Sequence, residues 1–258
     1  MALTLAVVNQ KGGVGKTTTV VNLAACLARR SKEVLLIDLD SQANATSGLG
    51  FDKQSGDPGS YELLIESASL SDVIQETGRK HFRIVTASPD LAGAEVELAQ
   101  IPEGREYRLR QALHTSPSEA DFILMDCPPS LGLLTLNGLI AADAVIIPIQ
   151  TEYYALEGVS LLMNTINTIK SGLNPDLRIF GVLLTMSDVR TQLSKQVEDE
   201  VRKFFGDKTF DTVIPRNVRL GEAPSHGKSI IEYDRLSRGS AAYSSLAKEV
   251  IKRAESFE

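Results

Sequence analysis

The chain has 258 residues, 43% of them apolar and 23% charged, with a net charge of −6, two cysteines and no tryptophan. Its length suits one large or two small domains, and its composition is that of an ordinary globular protein without repeats or low-complexity tracts. No apolar run approaches the ~18 residues of a membrane span. The acidic balance argues against nucleic acid as a partner of the whole surface. The charge is uneven, however: residues 1–185 carry 14 Lys and Arg against 21 Asp and Glu, and residues 186–258 carry 13 against 12. The mildly basic final third permits a DNA contact without requiring one.

The N-terminal stretch MALTLAVVNQ is apolar but short and runs into glycines. It reads as a first strand, Leu3–Val8, rather than a signal peptide. Further strands are expected at Val34–Ile37, Phe82–Val85, Phe122–Met125, Ala144–Ile149 and Ile179–Leu184, most of them rich in Val, Ile and Leu. That richness is typical of strands buried on both faces. Helical spacing is expected at roughly 17–30, 90–100, 104–114, 132–141, 155–171, 191–205 and 239–254. The last carries Tyr243, Leu246, Ala247, Val250 and Ile251 on one stripe. Alternation of the two element types predicts an α/β, doubly wound, mostly parallel sheet of about seven or eight strands flanked by helices. The polar stretch 51–60 reads as a loop that separates no second core, so residues 1–258 are expected to form one domain.

Ligands in such sheets sit beyond the carboxyl ends of the strands. The first strand leads there into NQKGGVGKTT, residues 9–18. Gly12, Gly13 and Gly15 let backbone N–H groups turn toward a phosphate. The following helix adds its N-terminal dipole. Lys16 is placed to reach terminal phosphates, the Thr17 hydroxyl to ligate Mg²⁺, and Thr18 to complete the nucleotide-binding set. The usual phosphate loop begins with Gly where this chain has Gln10, and it has no counterpart of Lys11, a second cation. Asp126 ends an apolar strand, as a second metal-holding acid should. In IDLD, residues 37–40, a carboxylate could orient an attacking water; being a weak base at neutral pH, it would support slow hydrolysis suited to a timer. His81, His114 and His226 lack metal-ligand spacing. Cys26 reads as a small core residue, and the two cysteines form no CxxC pair, which suits a reducing, cytoplasmic setting.

The loop KGGVGKT is the deviant Walker A motif. Together with DLDSQANATSGLG (38–50), DCPPSLGLLTLNGL (126–139), TEYYALEG (151–158) and VIPRNVRLGEAPSHGKSIIEYD (213–234), it makes the chain resemble the ParA/Soj chromosome-partitioning ATPases over essentially its whole length. Ser41 departs from the family's usual Pro in the Asp40 loop. The resemblance implies a P-loop ATPase fold with ATP and Mg²⁺ as cofactors. It implies that Lys11 crosses a two-fold interface to the nucleotide of a second copy, much as an arginine finger acts in trans. It also implies a cycle: ATP drives a homodimer, the dimer binds double-stranded DNA without sequence preference, and a ParB-type centromere-binding protein stimulates hydrolysis. By the same resemblance Asp40 orients the water, Pro128–Ser130 form a second switch, and Pro215 and Asn217, with Met186 nearby, hold adenine and ribose. Arg190 and Arg219 match DNA-contacting positions. The implied location is cytoplasmic and nucleoid-associated.

Three other classes compete. A MinD-like membrane-surface ATPase would carry a basic amphipathic anchor, whereas this sequence closes on IKRAESFE. An Fe–S protein would need two well-placed cysteines per subunit, and Cys26 is not beside Cys127 in the sequence. A biosynthetic P-loop transferase would need an acceptor site that no motif supplies.

Overall fold

The computed structural model describes residues 2–115, 119–152, 155–188 and 190–257, with the side chains of 155–158 outside the described set. The strands are β1 (Leu3–Val7), β2 (Val34–Asp38), β3 (Ile74–Arg79), β4 (Phe82–Val85), β5 (Phe122–Asp126), β6 (Ala144–Gln150) and β7 (Arg178–Thr185). The helices are α1 (Lys16–Ala28), α2 (Asn44–Gly48), α3 (Ser60–Leu64), α4 (Leu70–Val73), α5 (Leu91–Gln100) and α6 (Arg108–Thr115). After β5 come α7 (Leu133–Ala141), α8 (Ala155–Gly172), α9 (Gln192–Phe205), α10 (Val218–Glu222), α11 (Ile230–Tyr233) and α12 (Arg238–Ala254).

Among the described residues the strands form one seven-stranded sheet in the order β3-β4-β2-β5-β1-β6-β7. All neighbours are parallel except β3 against β4. Successive strand residues alternate between two cores, as the pleat requires. Ala6, Ile37, Met125 and Val182 face one core, which α3 to α9 cover. Leu5, Val7, Leu36 and Leu124 face the other, under α1, α2 and α10 to α12. Central strands buried on both sides thus explain the continuous apolar runs that made them legible.

β3 was not among the expected strands. Its sequence, IQETGR, is half-buried, pairs on one side only and loses register between Glu76 and Arg79. An edge strand of this kind has no apolar run to betray it, and its short, irregular pairing blunts the sheet's open edge. Arg219 lies in α10.

The chain leaves β1 toward β2 and β4 on one side and later crosses to β6 and β7 on the other. β1 therefore ends where strand order reverses, and a crevice opens there. Register brings the ends together: Val7 and Asp38 both pair with Asp126.

Candidate nucleotide site

The phosphate loop is held open by its neighbours rather than by its own contacts. Asn9 donates from Nδ2 to the Pro148 carbonyl at 2.7 Å and accepts from the Lys11 N–H at 3.0 Å. The Thr185 hydroxyl donates to the Val14 carbonyl at 2.8 Å. β6 and β7 thereby fix the loop from one side. Gly13 and Gly15 have φ of 75° and 91°, a region that side chains strongly disfavour. α1 starts directly from Gly15 with no side-chain cap, so its first N–H groups are left to an outside acceptor.

The two lysines of the loop differ. Lys16 is buried, with Nζ 3.5 Å from the Lys11 carbonyl. Burial pulls its ammonium below the ordinary lysine range, and the charges of Asp126 and Asp40 oppose that shift. Lys11 is exposed, its Nζ resting 3.5 Å from Glu152, which also receives Gln150 at 2.5 Å and Arg216 at 3.5 Å. One cation serves the interior of the loop while the other is turned out of it.

Behind Lys16 stand three carboxylates in three different states. Asp38 is structural: it accepts from the Thr46 N–H and hydroxyl at 2.9 and 2.8 Å and from the Asp40 N–H at 3.1 Å. Burial pushes it up to about 6 despite those bonds. Asp40 is buried but, among the described residues, accepts only the Gln42 N–H, at 3.0 Å. Asp126 is fully buried, and neither carboxylate oxygen has a hydrogen-bond partner. Burial, then the nearby Asp38 charge, holds it well above the usual carboxylate range. The Thr17 hydroxyl faces it and favours its charged form without meeting full hydrogen-bond geometry. An orphaned buried carboxylate costs stability unless something compensates it. Two oxygens beside a hydroxyl at a helix start are the donor set of a hard cation.

A cavity of about 210 Å³ opens next to the start of α1. Gly15, Thr18, Met186, Pro215 and Asn217 line it together, although the last three lie some 170 residues or more beyond the loop. Met186 adopts a left-handed conformation, φ 52°; the Ser187 N–H donates to the Ile214 carbonyl at 3.1 Å and the Arg216 N–H to the Ser187 carbonyl at 3.0 Å, which holds the segment in place. Asn217 spends its Oδ1 capping α10, accepting the Arg219 N–H at 2.9 Å. Ile214, Leu220 and Tyr243 complete the wall and were not singled out as site residues from the sequence. Tyr243 belongs to the core stripe of α12, and its hydroxyl lies 3.3 Å from that of Thr19 in α1. A tyrosine within an otherwise aliphatic stripe was the available signal.

An AAA domain family matches residues 2–179. Over 251 residues the chain is 55% identical to the sporulation initiation inhibitor protein Soj of Bacillus subtilis (strain 168), spanning 97% of this chain and 98% of that one. Over 246 residues it is 53% identical to the chromosome partitioning protein ParA of Myxococcus xanthus (strain DK1622), spanning 95% and 86%. The chain belongs to the ParA/Soj family of chromosome-partitioning ATPases. A solved structure titled cobyrinic acid a,c-diamide synthase from Mycobacterium smegmatis, with bound ATP analog and magnesium, shares 36% identity and a TM-score of 0.87, covering 100% of this chain and 98% of that one. The biosynthetic name is that protein's; the P-loop fold is common to both.

The other residues implied by family resemblance fall as follows. Arg190 is exposed in the turn before α9 and forks onto Asp188 at 2.8 and 2.7 Å. Arg219, also exposed, pairs with Glu222 at 2.8 Å and Asp234 at 3.6 Å. Tyr153 and Tyr154 of the TEYYALEG motif lie outside the described residues. Cys127 and Cys26 are both buried and free, and no group of three or more His, Cys, Asp and Glu that could hold a metal ion occurs among the described residues.

Proposed function

We propose that the chain is an ATP-dependent DNA-partitioning switch in which nucleotide joins two copies. The reading rests on the divergence of the two loop lysines. Lys16 is buried toward Asp126 and Asp40, whereas Lys11 is exposed and held only by Glu152. A cation that its own site does not use is free to serve a second copy's nucleotide.

In this reading the N-terminus of α1, the loop N–H groups and Lys16 bind the phosphates of ATP, and the cavity of about 210 Å³ takes adenine and ribose. Thr17 and Asp126 hold the magnesium, which neutralises phosphate charge when bound. Asp40, buried and nearly free of donors, orients the hydrolytic water. Its weak basicity suits slow turnover. Arg190 and Arg219, doubled by a two-fold axis, bind double-stranded DNA without reading sequence. A ParB-type partner stimulates hydrolysis and resets the dimer. The switch works in the cytoplasm, on the nucleoid. Residues 1–258 act as one domain.

The runner-up is a MinD-like ATPase at a membrane surface. It is disfavoured because α12 buries Tyr243, Leu246, Ala247 and Val250 in the core instead of offering them to a bilayer.

Lys11→Ala tests the central step. The variant should bind ATP with an affinity within about threefold of wild type, because the phosphate cradle is intact. It should not dimerise with a non-hydrolysable ATP analogue in light scattering. A normal dimer from this variant would remove Lys11 from the interface and the sandwich with it.

A further inference from the structure

Away from the nucleotide crevice, at the other end of α1, three guanidinium groups converge with no acid among them. Arg29 and Arg30 follow α1 directly, and Arg235 comes from the segment between α11 and α12. They line a cavity of about 260 Å³ whose remaining polar groups include the hydroxyls of Ser240 and Ser244. No carboxylate lines this cavity. Arg30 is already fixed, donating from Nη2 to the carbonyl and hydroxyl oxygens of Ser244, each at 3.2 Å. The side chains of Arg29 and Arg235 make no hydrogen bond or ion pair with the described residues.

Several other arginines do meet acids. Arg79, Arg108, Arg190, Arg202, Arg219 and Arg253 each pair with a carboxylate. The chain as a whole carries −6. Arg29, Arg30 and Arg235 meet no carboxylate in this cavity, which leaves their positive charge uncompensated there. The field is felt locally: burial pushes the Cys26 thiol at the cavity wall up to about 12, and Arg30 and Arg29 pull against that shift. A second cavity of about 300 Å³ shares Arg29 and adds Lys80 and Arg79, the latter paired there with Glu232.

We propose that Arg29, Arg30 and Arg235, with Ser240 and Ser244, form a phosphate-recognition site distinct from the P-loop. Planar guanidinium forks match the oxygens of a phosphate ester, and serine hydroxyls complete its acceptor set. Two sources carry this chemistry: the backbone of nucleic acid and a soluble phosphate compound. Lys80, in the adjoining cavity that shares Arg29, offers the backbone a further cation, and Arg235 follows Asp234, the partner of Arg219. The backbone source rests on the DNA-binding reading above; the pocket itself does not.

The double variant Arg29→Ala, Arg235→Ala tests it, both residues being exposed. With the P-loop saturated by ADP, inorganic phosphate titrated calorimetrically should find a saturable site in wild type. The variant should bind it about tenfold or more weakly, at unchanged ADP affinity. Equal phosphate binding in both proteins, or no second site in wild type, overturns the proposal. In the second arm a short duplex is titrated with a non-hydrolysable ATP analogue at several salt concentrations. If the backbone is the source, the variant's salt slope falls by roughly two phosphate contacts. Loss of phosphate binding with unchanged DNA binding assigns the pocket to a soluble phosphate compound. If wild type binds no DNA at all, the switch reading fails while the phosphate arm still decides the pocket.

Discussion

The nucleotide crevice and the arginines assigned to DNA treat charge in opposite ways. In the crevice, Lys16, Asp38, Asp40 and Asp126 are buried, and the oxygens of Asp126 meet no full hydrogen bond among the described residues. On the surface, Arg190 and Arg219 are exposed, and each already holds a carboxylate. Buried unpaired charge destabilises the empty protein and is relieved by a ligand. Exposed paired charge costs little and yields little, because water and the internal acid both compete with any partner. The two regions should therefore respond to mutation on different scales.

The largest effect belongs to Lys16→Ala. It removes the one buried cation facing the phosphates from a cradle otherwise built of backbone dipoles. A charge-assisted bond of this kind is worth about 1.5–3 kcal/mol, and in the proposed reading Lys16 would make more than one to the phosphates. ATP affinity by calorimetry should fall by about a hundredfold or more. A loss under threefold would mean that the uncapped start of α1 carries the phosphates alone.

Asp126→Asn comes next and separates ligand binding from stability. The unliganded variant should melt higher than wild type at neutral pH, by about 2–4 °C for each kcal/mol of burial cost relieved. The ligated variant should lose its magnesium dependence. The pH profile follows from the direction of the shifts. Asp126 and Asp38 are held above the unfolded value of ~3.9, so between the two values the native state binds more protons than the unfolded chain. Their contribution is therefore most favourable below ~3.9 and is lost as pH rises through the folded values, Asp38 near 6. Unliganded wild type should show this decline in melting temperature, and Asp126→Asn should show less of it. Identical profiles would place the buried charge elsewhere.

The same contrast explains what the sequence revealed. The phosphate loop is legible because Gly, Lys and Thr at fixed spacing have few other uses, and the central strands because burial on both faces demands unbroken apolar runs. The edge strand β3 was missed because solvent on one side leaves Gln75, Glu76 and Arg79 no periodic constraint. The wall of the cavity beside α1 is built by packing between distant segments. Met186, Pro215 and Asn217 were reached through family resemblance, while Tyr243 passed for an ordinary core residue although it also lines that cavity. The ion pairs that occupy Arg190 and Arg219 could not be read at all. Asp188 and Glu222 are nearby in sequence, but side-chain direction decides whether they engage.

Those pairs set the smallest effect and the sharpest test of the exposed region. Arg219 must leave Glu222 and Asp234 before it can meet a DNA phosphate, so its net contribution is the difference between two screened contacts. Arg219→Ala should weaken ATP-dependent binding of a short duplex only about two- to fivefold, equally across sequences, with the salt slope lower by about 0.9. Glu222→Gln should act in the opposite direction. The amide keeps an oxygen to accept from Tyr233, whose hydroxyl lies 3.2 Å from Glu222, but gives up the charge that holds the guanidinium. DNA binding should then strengthen by a similar two- to fivefold, about 0.4–1 kcal/mol, and the gain should vanish when Arg219→Ala is added. Fluorescence anisotropy of a labelled duplex at two salt concentrations reads all three variants. A gain that survives in the double variant would mean that Glu222 repels DNA directly. If Glu222→Gln weakens binding, the ion pair positions Arg219 for the phosphate instead of restraining it, and the exposed region is preorganised after all.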